Sequence, residues 1–310
     1  MKTSSLSAGL ALSLLLLATT SAQVAAPAPT PAPTPAPATA VSDLQALEAR
    51  VNAKEKAGKE QPADFAEEFA TYDTLLAKYQ GQKTEDVAEI ALSRAILHWE
   101  LTSPAAVVER NFLAVTDGFP GTKSAATAAR MLKNNATLAA LPGKPAPELH
   151  FKWSSPAGFT TLSALKGKIV VIDFWATWCG PCLRAFPQVR EHAARFKDAP
   201  VVFLGVTSIQ GRVSNLEPKR IDTKGDPARE MALMPRFMQA KDMTWPVAFS
   251  VEDVFNQEYG VSGIPYVAII APDGIVRYAG LNPGDERADI GGKIDALLKE
   301  FHLPVPAGKG

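Results

Sequence analysis

The chain has 310 residues, enough for two ordinary domains, and its 32 Lys and Arg balance 32 Asp and Glu. That neutral balance argues against nucleic-acid binding, which calls for a basic stripe, while 46% apolar and 21% charged residues exclude a wholly disordered chain. The only two cysteines, Cys179 and Cys182, exclude a disulfide-rich scaffold and a four-thiolate zinc centre.

Residues 1–22 read as a secretory signal peptide. Met1-Lys2 gives a minimal basic start, Leu6 to Ala18 an apolar run, and Thr20-Ser21-Ala22 a small-residue cleavage site. The run falls short of the roughly 20 residues of a membrane span, so a cleaved signal is preferred to an anchor. An uncleaved one would leave the chain anchored. Export places the chain in the periplasm or another oxidising space. Residues 23–40 form a Pro/Ala-rich linker, whose alternate prolines from Pro27 to Pro37 favour extended polyproline II.

Residues 41–141 read as a small all-α domain. Apolar residues recur every three or four positions: Leu44, Leu47 and Val51, then Phe65, Phe69, Tyr72, Leu76 and Tyr79. Helices are expected over 84–101, over 104–117 with Pro104 in its first turn after Ser103, and from about 123. The pattern resembles one tetratricopeptide-like hairpin, but no second copy appears at a clear period, and a plain helical bundle is the competing reading. His98 has no second histidine at coordinating spacing and is read as packing.

Residues 142–303 change to alternating strands and helices, followed by a tail at 304–310. Strands are expected at 168–174, 201–206, 267–270 and 275–278, with helices at 180–196 and 285–300. Their order implies an α/β sheet with an antiparallel edge. Residues 207–245 interrupt this order with a charged stretch ending in Met231, Met234, Phe237, Met238 and Met243. A helix packed on the sheet is the plain reading of that ending; a cap facing the substrate is the sharper one.

Cys179-Gly180-Pro181-Cys182 stands where the first buried strand meets its helix. A thiol there lies beside unsatisfied N–H groups and the positive end of the helix dipole, both of which favour thiolate. Cys179 is therefore the nucleophile, and Cys182, one turn on, is the inward-facing partner that closes on it. Pro181 fits the first turn because its missing N–H would have had no intrahelical acceptor. A purely structural disulfide is disfavoured, since so short a loop restrains the unfolded chain by only roughly 2 kcal/mol. Zinc would need two further ligands, and the nearest histidine, His192, lies along the same helix.

The run Ile172-Asp173-Phe174-Trp175-Ala176-Thr177-Trp178-Cys179-Gly180-Pro181-Cys182 resembles the active-site strand and helix of the thioredoxin superfamily, and Gly263-Ile264-Pro265 resembles its cis-proline loop. Gly143-Lys144-Pro145-Ala146-Pro147, Thr161 to Lys168 and Ala271-Pro272-Asp273-Gly274 resemble the exported TlpA/ResA-type branch. The resemblance covers about 141–303. It implies a thioredoxin-like mixed sheet flanked by helices and a protein-disulfide oxidoreductase needing neither organic cofactor nor metal.

Its partners would be disulfide-containing client proteins and, for a reductase, a membrane electron donor. Client contact would fall on Trp178, Gly180, Pro181, Gly263, Ile264 and Pro265, with a cis bond before Pro265. Asp173 would be the buried acid that takes the proton of Cys182; an aspartate merely satisfied by hydrogen bonds is the competing reading.

Two departures from the resemblance stand out. Val202 to Val206 carries no lysine beside the acid, and Tyr266 follows the proline where threonine is usual. Gly180-Pro181 and Ile264 resemble the reducing end of the superfamily; an oxidase or isomerase is the alternative, as is a partner-recruiting helical half. A peroxidase is disfavoured because Thr177 is only two residues before Cys179 and no distant resolving cysteine exists.

Overall fold

The computed structural model describes residues 39–59, 61–101 and 104–306. The signal segment, nearly all of the linker, Ser103 and the last four residues lie outside the described residues. Among the described residues no helix is long and apolar enough to cross a membrane.

Among the described residues five α-helices come first. They are α1 (Ala40–Lys56), α2 (Ala66–Lys78), α3 (Glu85–Glu100), α4 (Ala105–Gly118) and α5 (Lys123–Ala140). The residues read as linker end two positions early, because Thr39 and Ser42 cap each other reciprocally and Ala40 already opens α1. Pro104 stands at the N-cap of α4, not in its first turn, with its carbonyl accepting from Val107 and Val108. At the start of α5 the Glu85 carboxylate accepts from the Lys123 and Ser124 N–H groups, which joins the N-termini of α3 and α5. His98 stacks on Phe69 with ring centroids 3.9 Å apart, a packing role. The helices bury two apolar clusters of their own, one around Leu47, Phe65 and Ile90 and one around Phe112, Val115 and Met131.

The second part is a six-stranded mixed sheet in the order β1-β6-β3-β2-β7-β8. Its strands are β1 (Phe151–Ser155), β2 (Ile169–Phe174), β3 (Val201–Ser208), β6 (Val247–Ser250), β7 (Tyr266–Ile270) and β8 (Val276–Leu281). β2, β3 and β6 are parallel, whereas β1, β7 and β8 run antiparallel to their neighbours. Every residue of β2 is buried, as its unbroken apolar run demands of a strand covered on both faces. Its odd-numbered residues, Ile169 and Val171, share a core with α6 (Gly180–Arg195), α7 (Pro227–Ala240) and α8 (Ile290–Glu300). Its even-numbered residues face a second core built from the segments around Leu149, Leu162 and Tyr259, with Leu141 and Leu138 from the end of the helical part.

β6 and β1 were not expected from the sequence. β6 is four residues long behind Pro246, too short to show a period, yet it lies between β1 and β3. The last helix is shorter than expected: Asp289 takes a left-handed φ of 43° and caps α8, and only a 3₁₀ turn, Glu286–Ala288, precedes it. The inserted stretch holds a small hairpin of β4 (Arg212–Val213) and β5 (Ile221–Asp222), then α7, whose Met234 and Phe237 are buried against the sheet.

Candidate active site

β2 delivers Trp175 to Cys179 at the carboxyl end of the parallel strands, and Cys179 becomes the N-cap of α6. The N–H of Cys182 donates to Cys179 Sγ at 3.1 Å. That donor is one of the helix's orphan N–H groups, so in the reduced protein it would stabilise negative charge on Cys179. In the structure the two sulfurs are joined, with their Cα atoms 5.3 Å apart. Cys179 is 3% exposed and Cys182 1%, so Cys179 is less outward than its position at a helix start suggests.

The opposing wall is the loop before β7. Ile264–Pro265 is a cis peptide, and the Ile264 carbonyl lies 3.6 Å from Cys179 Sγ. Gly263, Ile264 and Pro265 are half-buried, as are Trp178 and Gly180, while Pro181 is exposed. Tyr266, a departure from the resemblance, donates its hydroxyl to the Tyr259 carbonyl and so closes the loop on itself.

Asp173 is 3% exposed and lies on the same face of β2 as Ile169 and Val171, the face that also buries Cys182. Burial alone pushes its carboxyl up to about 7. Its Oδ1 has no partner among the described residues, so the hydrogen-bonded aspartate of the competing reading does not describe this oxygen.

The absent lysine has a structural counterpart. Gly205 pairs with Asp173 in the parallel register, and a Cβ there would lie 2.9 Å from Trp175 Nε1 and 3.2 Å from Trp245 Nε1. Two indoles therefore fill the space a β3 side chain would take. Neither indole N–H has a partner among the described residues.

Sequence reasoning missed how the insertion reaches the site. Trp178 donates Nε1–H to Gln210 Oε1 at 3.0 Å, stacks on Phe255 and lies under the Arg212 guanidinium. Asn215 Nδ2 donates to the Thr177 carbonyl at 2.7 Å, and the Ser214 N–H donates to Thr177 Oγ1 at 3.1 Å. Glu230 of α7 in turn accepts from the Gln210 N–H and the Thr223 hydroxyl. The insertion thus braces Thr177 and Trp178 from outside. The charge-rich composition of 207–226 gave no hint of this, because pairing with a distant loop leaves no local period.

Residues 141–294 match the Redoxin family. The chain is similar to the thiol-disulfide oxidoreductase ResA of Bacillus subtilis, 28% identical over 115 residues that cover 37% of this chain and 54% of that protein. ResA of Oceanobacillus iheyensis is 27% identical over 138 residues, 44% of this chain and 62% of that one. Thioredoxin of Coprinus comatus is 35% identical over 78 residues, 24% of this chain and 61% of that protein. Among solved structures, the thioredoxin domain of a thiol-disulfide oxidoreductase from Bacteroides vulgatus is 19% identical, with a TM-score of 0.38, covering 52% of this chain and 96% of that one. The chain spans less than two thirds of the length of these curated relatives. The site motif and the sheet order agree with the sequence match: residues 141–294 form a redoxin domain of the thioredoxin superfamily, ResA/TlpA-like.

Proposed function

We propose that this chain is an exported thiol-disulfide oxidoreductase that reduces disulfides in client proteins, working in the periplasm or an equivalent oxidising space. The observation that carries the reading is Cys179 Sγ at the N-cap of α6, between the Cys182 N–H and the Ile264 carbonyl. That arrangement offers a stabilised thiolate and, next to it, a stretch of loop backbone on which a client strand can pair.

Starting from the dithiol, Cys179 thiolate attacks one sulfur of the client disulfide. The client S–S bond breaks, a bond from Cys179 to client sulfur forms, and the departing client thiolate takes up a proton. Cys182 then passes its proton to Asp173 and attacks Cys179 Sγ. The second client thiolate leaves, two electrons have moved to the client, and the chain holds the Cys179–Cys182 disulfide seen in the structure. A carboxyl titrating near 7 suits this acceptance at neutral pH. A membrane electron donor restores the dithiol.

Two experiments test the reading. With Cys182→Ala, mixed disulfides with clients should accumulate on a non-reducing gel and with Cys179→Ala none; equal trapping would overturn the roles. For direction, equilibration with dithiothreitol or glutathione buffers should give a potential near the reducing end, about −270 mV. A value above about −170 mV would move the protein to the oxidase or isomerase class.

A further inference from the structure

The family match leaves the helical half without a task, yet that half touches the redox domain at one side of its client-facing loop. Gly260 has a left-handed φ of 68°, and a Cβ on it would fall 2.6 Å from the Asn134 carbonyl oxygen and 2.7 Å from the Leu138 N. The loop backbone therefore lies directly on the backbone of α5, an approach open only to glycine. One residue on, the Val261 carbonyl accepts from Asn134 Nδ2 at 3.0 Å, a buried bond from a side chain only 2% exposed. Two residues further, a Cβ on Gly263 would meet Trp99 Cη2, from the end of α3, at 3.1 Å. Ile264 follows, with its carbonyl 3.6 Å from Cys179 Sγ. Leu138 also closes on β8, at 3.1 Å from a Cβ placed on Gly280.

Gly260, Val261 and Gly263, three of the four residues of 260–263, thus rest on α3 and α5, and the next two residues form the wall facing the disulfide. We infer that the helical half is the scaffold of the client-binding loop, with Trp99 and Asn134 as positioning residues that set Ile264 and Pro265 at the height at which a client strand pairs with them. The inference deepens the client-reduction reading and rests on it. A small dithiol attacks the disulfide without pairing to the loop, so the scaffold matters for protein clients and not for small thiols. Misplacing a positioned group by a fraction of its contact distance lowers productive encounters without changing the chemistry itself.

The test uses the full chain with Asn134→Ala, Trp99→Ala and the conservative Trp99→Phe. Insulin reduction with dithiothreitol as the electron source gives KM and kcat, and quenched-flow alkylation gives the rate at which dithiothreitol reduces the Cys179–Cys182 bond. Asn134→Ala and Trp99→Ala should raise KM for insulin about tenfold, or roughly 1.4 kcal/mol of lost client binding. Both kcat and the dithiothreitol rate should stay within about twofold, and Trp99→Phe should recover most of the KM. Unmoved KM values in an insulin-active background would overturn the scaffold alone. Equal losses with insulin and dithiothreitol would also overturn it, since they would mark general damage to the fold. A wild-type chain that exchanges with dithiothreitol but never reduces insulin would overturn the client-reduction reading and the scaffold with it.

Discussion

A carboxyl raised by burial alone ties Asp173 to stability as well as to the proposed proton transfer. Its folded-state value of about 7 lies above its ordinary value of 3.8, so between those limits the folded chain holds a proton that the unfolded chain has released. Stability from this group is therefore intact below about pH 4 and falls as pH rises through 7, by on the order of 4 kcal/mol if the full shift is realised. Asp173→Asn cannot ionise. Urea unfolding at pH 4 and pH 8 should show the variant gaining on the wild type by an amount of that order, and parallel pH profiles would mean the acid is hydrated in the folded state. The same variant should slow release of the mixed disulfide at neutral pH while leaving the first thiol attack unchanged, which stopped-flow traces would separate. Gly205 sits beside it in register, and Gly205→Ala places a methyl 2.9 Å from a fully buried indole. Because Trp175 is held between Phe186 and Phe237, it cannot step aside freely, and a loss of about 1–3 kcal/mol by urea unfolding is expected.

The elements that carry the chemistry were the ones most legible in the sequence. β2 is an unbroken apolar run, and Cys179-Gly180-Pro181-Cys182 announces a helix start through its proline, so strand, turn and the cysteine pair at the helix start follow from residues next to one another. The parts that brace them were not legible. β6 has four residues, and Gln210, Asn215 and Glu230 act through bonds to chain segments far away in sequence or in a hairpin two residues deep. Asn215 shows what such a brace contributes: it holds a left-handed φ of 60°, which asparagine tolerates, and ties the Thr177 carbonyl two residues before Cys179. Asn215→Ala should cost about 1–2 kcal/mol in urea unfolding. It should also loosen Trp178, read as faster quenching of tryptophan fluorescence by iodide. A variant with unchanged stability and quenching would show the Ser214 bond to Thr177 Oγ1 to be sufficient.

For the whole molecule, the change of pattern near Leu141-Pro142-Gly143 implies a domain boundary, and the apolar clusters divide near the same place. The helices keep two clusters to themselves, and the sheet keeps two more. The division is incomplete, since Leu141 and Leu138 belong to the sheet's second cluster and Asn134 bonds the Val261 carbonyl. A fragment of residues 141–310 keeps Leu141 and both sheet cores, so it should fold cooperatively and exchange with dithiothreitol at close to the full-chain rate. It loses Leu138 from β8 and the buried bond to Val261, which together should lower its stability by about 2–4 kcal/mol relative to the full chain. Reduction of insulin should survive with a raised KM, because the loop that ends in Ile264 and Pro265 then has one face in water. An aggregated fragment would show that the helices complete the sheet's core, whereas a fragment that matches the full chain in both KM and stability would show two halves joined only by the chain between them.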